Sequence, residues 1–99
     1  MARLEVTREY PGETSSECFQ ACVQAAIAAG YSIVKKREIA SLVVCRGCIQ
    51  NAPVELSLMV PLGSPTRVHL ALSGDRCSQE ALVTEAERLY RFLELELTR

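Results

Sequence analysis

Cys45-Arg46-Gly47-Cys48 is the segment of this chain whose residue types and spacing come nearest to specifying a chemistry. Two thiols three positions apart can ligate one metal ion, or cycle between dithiol and disulfide. In a regular strand such residues project to opposite faces, so the sulfurs converge only if Arg46-Gly47 turns or bulges. Gly47 permits either. A zinc site needs two more ligands, and Cys18 and Cys22, four apart on one side of a helical stretch, carry suitable atoms. Against this, Leu42-Val43-Val44 reads as strand and no helical period follows Cys48, so the pair lacks the helix N-terminus that activates a thioredoxin-type cysteine. Cys22 falls within an apolar helical stripe and Cys18 at its margin. The expectation is therefore no cofactor and small buried thiols, with zinc or redox sensing at Cys45, Cys48, Cys18 and Cys22 as the alternative. Cys77, just before a helix cap, could feel the positive end of that helix, but reads first as an ordinary loop thiol.

His69 is the only histidine. Val68, Leu70 and Leu72 alternate with it, so His69 projects from the face opposite the core, across from Met59 in a proposed hairpin. Glu5 or Glu55 could share that face and assist general acid/base work, but no motif specifies a nucleophile beside them. No catalytic residue is assigned.

These groups must be positioned by surrounding elements, and the apolar periods name them. Leu4, Val6 and Tyr10 alternate with Arg3, Glu5, Thr7 and Glu9, a half-buried strand that Pro11-Gly12 ends. Thr14 and Glu17 fit a capping box, with Ser15 and Ser16 as alternative caps. Phe19, Cys22, Val23, Ala26 and Ile27 then share a helical stripe that Gly30 closes. Tyr31 to Lys36 and Ala40 to Cys45 read as adjacent strands, with the basic run Lys35-Lys36-Arg37 in a solvated turn between them. Val54 to Val60 and Arg67 to Ser73 alternate cleanly around a Pro61–Pro65 loop. Matching their apolar faces pairs Val60 with Val68 and Leu58 with Leu70. Ser78 caps a last helix whose stripe is Leu82, Ala86, Leu89, Tyr90, Leu93 and Leu97. Glu85 lies off that stripe, and Glu87 and Arg91 have the spacing of an ion pair.

The order is β-α-β-β-β-β-α, an α+β fold. A single mainly antiparallel sheet of about five strands carries both helices on its one apolar face. The 99 residues form one domain, with 48% hydrophobic and 23% charged residues, close to globular averages. Aromatic residues make up only 5% and Trp is absent, which argues against a base-stacking platform. A net charge of −1 argues against nucleic-acid binding. No stretch is long and apolar enough for a membrane span, and the N-terminus lacks a secretory pattern. Five cysteines with no targeting segment fit reduced thiols in the cytoplasm.

Through this element order, and through Gly30-Tyr31-Ser32-Ile33-Val34 and Val60-Pro61-Leu62-Gly63, the chain resembles small helix-grip and START-like proteins. More distantly it resembles the saddle half-domain of TATA-binding proteins. The helix-grip resemblance implies a small apolar ligand held between helices and sheet. The residues themselves point elsewhere. The sheet face away from the helices carries Arg3, Glu5, Thr7, Ser57, Met59, His69 and Ala71, a mixture suited to contact. The leading expectation is a non-catalytic domain acting by self-association or partner binding. Its homodimer or protein-partner interface would include Met59, His69, Ser57 and Ala71.

Overall fold

The computed structural model describes residues 2–98. Seven elements follow in the expected order: β1 (Ala2–Glu9), α1 (Ser15–Ala28), β2 (Ser32–Arg37), β3 (Leu42–Ile49), β4 (Ala52–Met59), β5 (Arg67–Gly74) and α2 (Gln79–Leu97). The strands form one open sheet in the order β1-β5-β4-β3-β2, and every neighbouring pair is antiparallel. Both helices pack on the same face, over a single cluster of buried aliphatic side chains.

Local chemistry explains the helix boundaries. Thr14 caps α1 by accepting the Glu17 amide at 3.1 Å, and its hydroxyl donates to the Glu17 carboxylate at 2.9 Å. At the other end Gly30 takes a positive φ of 96°. The Gly30 amide then reaches the Ile27 carbonyl and the Tyr31 amide the Ala26 carbonyl, the paired bonds of a Schellman ending. Ser78 caps α2 by accepting the Ala81 amide at 3.1 Å.

Sheet register follows the apolar pattern. Leu58 faces Leu70, Leu56 faces Leu72, and Met59 faces His69, as matching the hydrophobic faces requires. On the other side of β5, Leu4 faces Leu72 and Val6 faces Leu70.

Several expectations are corrected. Ile27 is half-exposed, because α1 is rotated to bury Cys18, Ala21 and Ala25, small side chains that let it lie close against α2. The basic run does not form a turn: Lys35, Lys36 and Arg37 complete β2, and the turn begins at Glu38. Charges on this edge strand discourage another strand from pairing with it. Glu85 is buried rather than off the α2 stripe. No Glu87–Arg91 ion pair forms among the described residues; Arg88 pairs with Glu85, and Glu94 with Arg8. Finally, β3 continues through Gly47 to Ile49, and the chain reverses at Gln50-Asn51, both at positive φ (50° and 69°), the form of a two-residue type I′ turn.

Candidate functional site

The continuation of β3 sets where Cys45 and Cys48 point. Cys45 pairs with Leu56 and Cys48 with Pro53 in an unbroken ladder, so the two thiols leave the strand on opposite faces. Cys45 is fully buried beneath the helices, whereas Cys48 is exposed on the far side. Gly47 serves packing rather than turning: a Cβ there would lie 2.8 Å from the Tyr31 ring, which lies against the strand at that point. Cys18 and Cys22 are also buried, within electrostatic reach of each other and, for Cys22, of Cys45. Burial raises the Cys18 thiol to about 11, with Glu13 and Glu17 adding to it, and burial alone raises Cys45 to about 11. Burial likewise pushes Cys22 well up. Such thiols stay protonated at neutral pH, which makes them poor nucleophiles. Among the described residues no three His, Cys, Asp or Glu side chains converge on a possible metal position. The structure brings three of the four candidate cysteines into one part of the core, as packing, and sets Cys48 apart from them.

A polar cluster within the core was not legible from spacing. Tyr31 donates to Glu85 at 2.6 Å, and Arg88 grips the same carboxylate through two bonds of 2.8 Å each. Arg88 also donates to the Ala29 carbonyl at 3.0 Å, so it caps the last turn of α1, and its guanidinium lies over Phe92. Burial raises the Glu85 carboxyl, but the Arg88 and Tyr31 hydrogen bonds and the Arg88 charge outweigh it and hold the group below the usual glutamate range. This cluster ties α2, α1 and the start of β2 together. Among the described residues no buried side-chain nitrogen or oxygen lacks a partner.

The space between the helices and the sheet is occupied by the core itself. A cleft of about 560 Å³ lies outside it, between α1 and the β2–β3 turn, with Phe19 and Val23 as floor and Gln20, Gln24 and Lys36 at its rim. Lys36 is engaged by Glu38 at 3.4 Å.

The opposite face of the sheet carries neither helix. Its side chains fall in rows set by the register. One row runs Thr7, His69, Met59, Leu42, Arg37, and the next Glu5, Ala71, Ser57, Val44, Lys35. The centre of the face is thus Leu42, Val44, Met59 and Ala71, with Ser57 and His69 among them. The expected Met59–His69 neighbours are present, and Leu42 and Val44 join them. Leu42 and Val44 lie within the run that reads as strand from Ala40 to Cys45, but the period of that run does not assign its register against β4, so the sequence does not place them on this face.

Toward β1 the charges compensate one another. Arg3 lies 3.7 Å from Glu5, Arg67 lies 3.1 Å from Glu9, and His69 Nε2 is 3.2 Å from Glu5. His69 Nδ1 is 2.8 Å from the Thr7 hydroxyl. With the ring proton assigned to Nε2, the imidazole donates to Glu5 and accepts from Thr7. Hydroxyl, imidazole and carboxylate in sequence is the connectivity of a nucleophile-activating triad. Here it lies on an open sheet surface, and the cleft described above lies across the sheet from it. The arrangement ties Thr7, His69 and Glu5 to one another across β1 and β5. Toward β2, Lys35, Arg37 and Arg46 make no ion pair among the described residues.

No protein-family model matches this chain, and no curated protein matches it significantly. Among the described residues no helix is long and apolar enough to cross a membrane.

Proposed function

We propose that this protein is a non-catalytic binding domain that works through its uncovered sheet face, and that the partner it takes there is a second copy of itself. The observation that carries this reading is the apolar centre of that face, Leu42, Val44, Met59 and Ala71, flanked by Ser57 and His69. An antiparallel sheet can leave one face in water, but such a face is then mostly polar. An apolar centre with a charged rim is the layout of a contact surface. Such a face suits face-to-face stacking, in which two twisted sheets pack about 10 Å apart with their strands within about 30° of each other.

Sedimentation of the wild-type protein against Met59→Glu tests the proposal. The wild type is expected to show a concentration-dependent dimer. The variant should be monomeric at the same concentrations, with an unchanged far-ultraviolet spectrum. A wild-type monomer at the highest attainable concentration would overturn the reading, as would a dimer indifferent to a charge at position 59.

A further inference from the structure

The charge pattern of the same face selects how two copies meet. This inference rests on the proposed self-association and adds its geometry. Two sheets stacked face to face by a two-fold axis have two simple arrangements. With the axis across the strands, each edge strand lies over its own copy. With the axis parallel to the strands and centred on β4, the middle strand, β1 of one copy lies over β2 of the other.

Lys35 and Arg37 sit on the β2 side of the face, and neither is in an ion pair among the described residues. The first arrangement stacks them against themselves, and like charges juxtaposed in an interface are strongly disfavoured. The second moves them away from their own copies. Each cross-strand row then maps onto itself reversed, so the row Glu5, Ala71, Ser57, Val44, Lys35 sets Lys35 opposite Glu5 and Val44 opposite Ala71. The row containing Met59 sets Leu42 opposite His69 and Met59 opposite its own copy. Met59 meets Met59, Val44 meets Ala71, and the cations of β2 meet the strand that carries carboxylates. The row Arg3, Ser73, Glu55, Arg46, Ser32 sets Glu55 opposite its own copy, each with Arg46 as its neighbour on β3.

We infer that the protein forms a two-fold dimer by stacking this sheet face with the axis parallel to β4, so that Lys35 of each copy faces Glu5 of the other. Four strands of eight residues and one of six, about 4.8 Å apart with about 3.3 Å per residue, offer roughly 600 Å² per copy. A total of about 1,200 Å² is at the lower limit of specific interfaces, so the dimer is expected to be reversible and concentration-dependent.

Charge exchange tests the orientation. In Lys35→Glu both inter-copy contacts become carboxylate against carboxylate, and in Glu5→Lys both become ammonium against ammonium. Each variant alone is expected to dimerise roughly tenfold more weakly than wild type. In an equimolar mixture both contacts are again of opposite sign, so a heterodimer of near wild-type affinity should appear by sedimentation of one labelled partner. Circular dichroism of each variant establishes that it is folded. If the wild type dimerises but the mixture shows no recovery, the orientation is wrong while self-association stands. If the wild type never dimerises, both fall.

Discussion

Glu85 shows how much one side chain can do when it is buried with its partners. Its carboxylate is held by Tyr31 and by both arms of Arg88, and Arg88 in turn caps α1 at Ala29. Removing one member leaves the others with unmet hydrogen bonds in a partly dry setting, which costs more than the intact bond contributes. Tyr31→Phe is expected to cost about 1 kcal/mol and Glu85→Ala about 2 kcal/mol, the second limited because Arg88 is partly exposed to water. The pH dependence has a definite sign. The folded-state pKa of Glu85 lies below its ordinary value, so the unfolded chain takes up the proton first. The stabilisation is complete above the ordinary glutamate value and is lost as pH falls through the lower, folded one. Urea midpoints measured from neutral to acid pH should fall less steeply for Glu85→Gln than for wild type. Equal slopes would show that the carboxylate is not held in its charged form. None of this was visible in sequence, where Glu85 has the look of any surface glutamate on a helix.

At the scale of the element, β3 is the strand that decides most. The sequence reads as strand from Ala40 to Cys45 and leaves open whether the chain continues or turns at Arg46-Gly47; it runs straight through to Ile49. The reversal is made instead at Gln50-Asn51, where two residues accept positive φ and match the twist of the hairpin. Asn51 was the available sign, being among the residues that tolerate the left-handed region. Gly47 is required for a different reason, since the Tyr31 ring occupies the volume a side chain would need. Gly47→Ala is expected to cost about 1–3 kcal/mol by displacing that ring, and to weaken the Tyr31–Glu85 bond with it. A double-mutant cycle of Gly47→Ala with Tyr31→Phe reads the coupling: the two losses should be less than additive. Full additivity would separate the glycine from the cluster. The helices were more legible, since Thr14, Gly30 and Ser78 act within a few residues of themselves. The rotation of α1 was not, because it depends on α2 lying beside it.

For the whole molecule, burial divides the five cysteines. Cys48 is exposed and Cys77 intermediate, while Cys18, Cys22 and Cys45 are enclosed. In native buffer a thiol reagent should modify Cys48 first and Cys77 more slowly, leaving three thiols that react only on unfolding. Rapid modification of all five would contradict the packing. The same burial sets an alkaline limit. Cys18 and Cys45 are raised to about 11, so the unfolded chain loses these protons first, from the ordinary value of 9.0 upward. Stability should therefore be undiminished by these groups below pH 9.0 and decline as pH climbs toward about 11. The buried tyrosines Tyr31 and Tyr90, raised first by burial, push in the same direction.

The sequence by itself determined the order of elements, the helix caps, which face of β1, β4 and β5 is apolar and the pairing of β4 with β5. These depend on period and on contacts within a few residues, and a one-residue slip would turn a whole core set outward. Tertiary structure alone decided that Cys45 and Cys48 part to opposite faces, that Glu85 is a core residue, and that Leu42 and Val44 complete the face containing Met59 and His69. Each of these depends on where a strand ends or on what lies across a layer, and local spacing carries no record of either.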